Sequence, residues 1–383
     1  MGDYGFIACP RANQDLYFQT QWFTGSPPLR EGDKVEFEIR EYGSNLQAHH
    51  IERAIATTTT LSNPVQVAPT RALPTSERLF DWAYLGYMPE VLETLKRLAL
   101  NERWEFKNMD SESEWPYPIL TSYINNTFGR LVIEGKIYLD RNKSRAAFNT
   151  GLVDSRYEPI YAVFEPNLGG RAPWRLSSFC TAGEGRDGQN LVRNFTSLPE
   201  TAHYFSDASE LLYDTKAGSP EFNWYHIVIE RIGRYPPDFI EDHWPKGFEH
   251  RDPSKMSPDD QKAYYFDLGI AIEQDARVYR QIMNRVRDGI ELALKRVKWN
   301  YKTAIPTYYP RVKSLQLLLP LCLLTDEQVD VALAVERTAS GSYLGHTILP
   351  LDWAYKNARL VCRPDSEWLA PGEISTGLST DED

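Results

Sequence analysis

Between residues 56 and 76 the chain runs Ala56-Thr57-Thr58-Thr59-Thr60 and then places Pro64, Pro69 and Pro74 among small polar residues. Such a stretch has little apolar surface to bury. Each proline fixes its own φ and withholds a backbone donor, so the segment resists both helix and interior strand. The chain is therefore expected to fold as two units, a small one over 1–55 and a large one over 79–370, joined by a linker over 56–78. With 383 residues, 42% hydrophobic and 13% aromatic, the large unit can bury a core of its own. After Pro371 the sequence is mostly Gly, Ser, Thr, Asp and Glu, which reads as a disordered acidic tail over 371–383.

In the small unit, Tyr4-Gly5-Phe6-Ile7 and Asp15-Leu16-Tyr17-Phe18-Gln19 read as short strands. Alternation puts Tyr4 and Phe6 on one face, and Tyr17 and Gln19 can line the same face of a paired neighbour. These residues, with Gly32-Asp33-Lys34-Val35-Glu36-Phe37-Glu38-Ile39 and Leu46-Gln47-Ala48-His49-His50-Ile51, resemble a cold-shock domain, a small OB-type barrel. The resemblance covers residues 2 to 55 and implies binding of single-stranded RNA or DNA, with Tyr4, Phe6, Tyr17 and Gln19 as base-contacting positions. A base stacked on an aromatic ring is worth about 1–3 kcal/mol. Two features depart from the family: its first strand would precede Tyr4, and Gln19 and Thr20 stand where a His and an aromatic are usual. Either a clipped sequence or a barrel closed another way is expected.

The net charge of −11 excludes a uniformly basic nucleic-acid-binding surface, so any such surface must be local. No apolar run reaches the length of a membrane span, and the first residues lack the basic-then-apolar order of a signal peptide. A cytoplasmic protein with no membrane partner is expected; the sequence sets no oligomeric state. Cys9, Cys180, Cys322 and Cys362 are far apart and have no His at metal spacing, so reduced, mostly buried thiols and no metal are expected.

The large unit reads as mixed α+β with a central sheet. Periodic structure resumes at Leu79-Phe80-Asp81-Trp82. Pro89 opens a helix carrying Val91, Leu92, Leu95 and Leu98, and Pro118 precedes another through Tyr123 and Ile124, after a polar loop near Met109 to Glu114. Arg130–Glu134, a Gly135-Lys136 turn and Ile137–Asp140 read as a β-hairpin; Phe148–Leu152, Ile160–Phe164 and Trp174–Phe179 read as further strands. The glycine-rich run Thr181–Gly188 lacks Gly-Lys-Ser/Thr and is expected as a mobile surface loop, with no nucleotide cofactor. Leu315–Leu324 and Val329–Val335 read as buried strands, with Pro320 ending or bulging the first, and Leu351–Arg359 as a terminal helix on which Tyr355 and Arg359 share a face.

Two stretches carry chemistry. In Asn223–Arg234, Asn223 suits a helix N-cap and Gly233 a C-terminal stop, so His226 and Glu230 share a face at i,i+4 with Arg234 beside them. Histidine is the side chain suited to proton transfer near neutral pH, a carboxylate can orient it, and arginine can hold a phosphate. Ser257-Pro258-Asp259-Asp260 opens a helix expected to run to about Trp299, with Leu268, Ile272, Ala276, Tyr279, Val286, Ile290, Leu294 and Val297 as its core stripe. Another face carries Arg277, Arg280, Asn284, Arg287, Lys295 and Lys298. Between Arg277 and Lys313 stand ten Lys/Arg against two acids, interleaved with Trp299, Tyr301, Tyr308 and Tyr309. Basic groups for phosphates plus aromatics for bases suit a single strand.

Phe148–Leu152, Asn223–Pro236, Leu315–Leu321 and Leu351–Arg359 together resemble an uncharacterised domain that recurs behind cold-shock domains in bacteria and fungi, over about residues 79 to 370. The resemblance implies an architecture and a nucleic-acid context but no reaction. It makes Asn149, Thr150, His226, Arg234, Tyr355, Asn357 and Arg359 recurrent positions; Lys356 departs from a more usual Asn. Three functions follow as expectations: a single-stranded RNA binder, a metal-independent RNA phosphodiester or end-processing enzyme, or a protein-interaction module. The catalytic candidates are His226, Glu230, Arg234, Asn149, Asn357 and Arg359.

Overall fold

A computed structural model describes four strands and Phe23 within residues 4–53, then residues 73–107, 116–168 and 170–374. The chain divides into two compact units, Met1–Val67 and Ala68–Asp383. In the first, β1 (Tyr4–Cys9), β2 (Gln14–Gln19), β3 (Val35–Tyr42) and β4 (Asn45–Arg53) form a sheet in the order β1-β2-β4-β3. Phe18, Ala48 and Ile51 are buried in it, with Ile7, Phe23, Val35 and Phe37 packed around them. The register places Tyr4 opposite Gln19 and Phe6 opposite Tyr17. The side chains of those four lie outside the described residues. Among the described residues these strands pair as a four-stranded sheet, and no pairing joins β1 to β3. Residues 56–72 of the expected linker, the polar loop over 109–114 and the tail over 375–383 also lie outside the described residues.

The larger unit opens with α1 (Leu79–Trp82) and contains the same arrangement twice. Its first half runs β5 (Ala83–Tyr84), α2 (Met88–Leu98), α3 (Pro118–Ile133), β6 (Tyr138–Leu139), β7 (Ala146–Val153), β8 (Pro159–Pro166), β9 (Trp174–Thr181) and α4 (Gly185–Asn194). The second runs β10 (Glu221–Phe222), α5 (Pro237–Asp242), α6 (Pro258–Gln274), α7 (Ala276–Trp299), β11 (Ile305–Tyr309), β12 (Ser314–Leu321), β13 (Val331–Arg337), β14 (Tyr343–Leu349) and α8 (Leu351–Val361). The sheets are ordered β5-β9-β8-β7-β6 and β10-β14-β13-β12-β11. In each, the first strand lies parallel to the last, and the remaining neighbours are antiparallel. Both carry a bulge at the corresponding place: the pairing skips Ser177 between Val163↔Ser178 and Phe164↔Leu176, and skips His346 between Ala334↔Thr347 and Val335↔Gly345. Two structural repeats account for this correspondence.

Alternation along the strands explains the layers. In the second sheet Leu317, Leu319, Leu333 and Val335 meet Val278, Ile282, Val286 and Ile290 of α7, whereas Leu318, Ala332, Ala334 and Leu349 share a core with α8 and α3. In the first sheet Phe148, Ala162 and Phe164 pack with α3, and Ala147, Tyr161 and Val163 with Leu191 of α4. Helix α3 is therefore buried between the repeats. Residues Arg130–Ile133, expected as a strand, are its last turn, because a helix enclosed on most sides can carry apolar residues in continuous runs.

Other expectations are corrected by local chemistry. The glycine-rich run leads into α4; Gly188 packs so closely on β9 that a Cβ would collide with the Thr181 carbonyl. Helices α6 and α7 replace one long helix, because the Asp275 side chain accepts from the backbone N–H groups of Arg277 and Val278 and caps a new start. The stripe moves with the break: Ala276 is exposed, and Val278, Ile282 and Ala293 are buried. Pro320 does not end its strand. It lies opposite Ala332 and beyond the last β11 pair, Ile305↔Leu318, so on that side no neighbour needs its missing N–H. Cys180 and Cys322 are buried and Cys362 is exposed. Ile374 is buried, and its carbonyl accepts from the N–H of Lys107. Among the described residues no helix is long and apolar enough to cross a membrane.

Gly269 of α6 faces the backbone at Ile229; a Cβ there would stand 2.9 Å from the Ile229 carbonyl oxygen. Alanine favours a helix over glycine by up to about 1 kcal/mol, but crowding in a packed interior costs about 1–3 kcal/mol. Gly269→Ala should therefore lower stability, read as a lower urea midpoint with an unchanged denaturant slope.

Candidate active site

In the first repeat the connection from β5 to α2 is residues 85–87; in the second, the equivalent connection from β10 to α6 is residues 223–257. This insertion carries His226, Arg231 and Arg234. Asn223 begins it as expected of a cap, its Oδ1 accepting from the His226 N–H at 3.2 Å. His226–Glu230 then forms a π-helical turn, followed by a 3₁₀ turn over Ile232–Arg234. Such wide turns recur at functional sites. Gly233 is not a helix stop; it leaves room for the Tyr265 ring, 2.8 Å from where its Cβ would be.

The π turn brings His226 Nδ1 to 2.5 Å from Glu230 Oε2. A carboxylate only accepts, so the shared proton sits on Nδ1 and the ring is held by one of its nitrogens. Arg234 Nη1 donates to Thr347 Oγ1 at 2.9 Å and to the Ile348 carbonyl at 3.2 Å, and its Cζ lies 5.1 Å from the centre of the Trp353 ring. The guanidinium is thus fixed between β14 and α8. Arg231 Nε is buried and has no hydrogen-bond partner among the described residues.

These residues line a cleft of about 390 Å³ on the second sheet, together with Glu336 of β13 and His346 of β14. His346 is the bulge residue, and a bulge re-aims the side chain it carries. Its Nε2 lies 2.8 Å from Glu336 Oε2, giving the cleft a second histidine–carboxylate pair. Both histidines are partly buried and both arginines line the same space, so two acid–base groups and two cations converge. In the first repeat the corresponding bulge carries Ser177, and Glu165, at the place of Glu336, pairs with Arg175 at 2.9 Å. The fold does not itself require the constellation.

A family described as "Domain of unknown function (DUF3825)" matches residues 95–368. This chain belongs to that family. No curated protein and no solved structure matches the chain. The DUF3825 match begins within α2, compared with the expected 79–370; it covers the second sheet and all of the first except β5, and it leaves residues 1–94 outside.

Of the expected catalytic positions, the DUF3825 domain brings His226 and Arg234 to the cleft, with Glu230 against His226. It does not bring Asn149, Asn357 or Arg359. Asn149 is buried in β7, where Oδ1 accepts from the Gly151 N–H and Nδ2 donates to the Pro199 carbonyl. Thr150 Oγ1 donates to the Ile160 carbonyl. Asn357 is half-buried on α8, away from the cleft lining. Arg359 is buried and pairs with Glu102 through both carboxylate oxygens, at 2.6 and 2.9 Å, between the faces of Trp104 and Tyr123. Burial works most strongly against its charge, but hydrogen bonding to Glu102 together with the electrostatic attraction of Tyr123, Glu102 and Tyr355 outweighs this and holds its pKa above the ordinary value. For Asn149, Thr150 and Arg359 these are structural contacts. Arg231, Glu336 and His346 were not anticipated. Among the described residues no group of three or more His, Cys, Asp or Glu converges as a metal site.

On the outer face of α7, Arg277, Arg280, Arg287, Lys295 and Lys298 are exposed, as are Trp299 and Tyr301; Tyr308 is buried. Arg287 Cζ lies 5.3 Å from the centre of the Trp224 ring, two residues before His226. Arg285 and Arg296 instead bind the carbonyls of Leu323 and Asp326.

Because Glu102 and Arg359 are both buried, removing one strands the other. Arg359→Ala should destabilise the domain by about 3–5 kcal/mol, whereas Glu102→Gln with Arg359→Met should recover most of that loss. Urea unfolding of the three variants gives the comparison.

Proposed function

We propose that this protein binds single-stranded RNA and that the cleft of its DUF3825 domain processes RNA phosphate esters by acid–base catalysis from its own side chains. The observation that carries the catalytic part is the meeting of His226–Glu230, His346–Glu336, Arg231 and Arg234 in one cleft. Histidine can give and take protons near neutral pH, a carboxylate on the far nitrogen orients the ring, and guanidinium groups neutralise phosphate oxygens. The absence of an equivalent set in the first repeat supports selection for chemistry over scaffold need.

The binding part is supported by the exposed basic and aromatic side chains of α7 and its C-terminal end, and by the cold-shock-like N-terminal strands. In this reading Tyr4, Phe6, Tyr17 and Gln19 take bases, while Arg277, Arg280, Arg287, Lys295 and Lys298 take phosphates. The α7 surface also favours a second reading, in which RNA is held and not processed.

His226→Ala should abolish processing of end-labelled single-stranded RNA, with or without a chelator. Affinity should change by less than about 1 kcal/mol, because proton transfer is needed in the transition state and not in the bound complex. Product formed by the variant, or product lost on chelation, would defeat the proposal; no product from either protein would leave the binding-only reading. Charge reversal at Arg280 and Arg287 should flatten the dependence of log affinity on log salt, since fewer counterions are released. Titrations at several salt concentrations measure that slope.

A further inference from the structure

Each histidine of the cleft has one ring nitrogen committed to a carboxylate: Nδ1 of His226 to Glu230, and Nε2 of His346 to Glu336. The nitrogens left for proton exchange are Nε2 of His226 and Nδ1 of His346. A ring held in this way is a base when neutral and an acid when protonated, and the carboxylate fixes its orientation. With two such rings in one space, one can remove a proton while the other supplies one. The two requirements of a phosphodiester exchange are then met, namely activation of a nucleophilic oxygen and protonation of a departing one. Arg234, fixed by Thr347 and Ile348, and Arg231 line the same cleft and can supply positive charge to a phosphate that gains negative charge there.

We infer that the nucleophile is the 2′-hydroxyl of the RNA itself, so that the cleft catalyses transphosphorylation and acts on ribose but not deoxyribose strands. The inference rests on the reading of the cleft as an acid–base phosphate site. Its physical basis is proximity: the 2′-oxygen is already attached beside the scissile phosphate, and well-oriented internal attack is worth effective concentrations of about 10⁵–10⁸ M. One histidine takes the 2′-OH proton as the 2′-O–P bond forms. The P–O5′ bond breaks, and the other, protonated histidine gives its proton to the leaving 5′-oxygen. The products are a 2′,3′-cyclic phosphate and a 5′-hydroxyl; water is not consumed, and one histidine ends protonated while the other ends neutral.

The test uses the full chain with uridylyl-(3′→5′)-adenosine, its 2′-deoxy analogue, and uridine 3′-(4-nitrophenyl phosphate), with products separated by chromatography. The expected result is the cyclic phosphate and adenosine from the ribose dinucleotide and no reaction of the deoxy analogue. His226→Ala and His346→Ala should each lower kcat/KM on the dinucleotide by about 10²–10⁴-fold. On the nitrophenyl ester, whose leaving group needs no proton, one variant should return to within about tenfold of the parent rate, and that variant marks the acid. Cleavage of the deoxy analogue, or a 5′-phosphate product, would overturn the inference while leaving the cleft a phosphate-processing site. Recovery of both variants or of neither would overturn the division into acid and base. No reaction of either ribose substrate by the parent protein would remove the inference together with the reading beneath it.

Discussion

The ion pair between Glu102 and Arg359 joins residues far apart in sequence, one following the first helical layer and the other in the last helix. Each repeat has its own sheet, but the contact between repeats is a helix-to-helix layer, α3 against α8, and such layers can slide. A bidentate pair clamped between Trp104 and Tyr123 admits one register. Since α8 also carries Trp353, which packs on Arg234, the position of the cleft arginine follows from where α8 is held.

The cleft shows how one fold used twice comes to carry chemistry once. Two of the departures of the second repeat from the first build the cleft: the insertion over 223–257, which supplies His226, Arg231 and Arg234, and a histidine at the bulge where the first repeat has Ser177. The carboxylate opposite the bulge is present in both, as Glu165 and Glu336. In the first repeat it is satisfied by Arg175, and in the second it engages His346. The sheets supply the position, and the insertion and the bulge supply the groups.

The part of the site that could be read from sequence was the part set by local spacing. His226 and Glu230 are four residues apart, Asn223 is a cap, and Arg234 follows within one turn, so their association survives even though the turn is π-helical. Glu336 and His346 meet through strand register displaced by a bulge, and neither pairing nor bulge has a local residue signature here. The same contrast runs through the fold. Ser257 as a cap and strands β7 to β9 were legible, while Arg130–Ile133 read as a strand because β-branched and apolar residues in a row suit either a buried strand or a helix enclosed by two layers. Asn149 and Arg359 were polar residues at apolar positions, and burial can assign such residues to structure as readily as to chemistry. The repeat itself left little trace in residue identity beyond the shared Glu165 and Glu336: the equivalent last strands read Trp-Arg-Leu-Ser-Ser-Phe-Cys-Thr and Tyr-Leu-Gly-His-Thr-Ile-Leu.

Helices α3 and α7 occupy the same place in their repeats, yet their surfaces have opposite characters. The two repeats of the larger unit are stacked in the same sense, like coins facing one way, so the side of the first that bears α3 meets the side of the second that bears α8. An interior position in such a stack demands apolar residues all around, and α3 buries Ile119, Leu120, Tyr123, Ile124, Phe128 and Leu131. The terminal position frees the outward surface of its helix from any packing duty. The positive stripe on α7 is thus a property of being last in the stack, and a third unit added at that end would cover it.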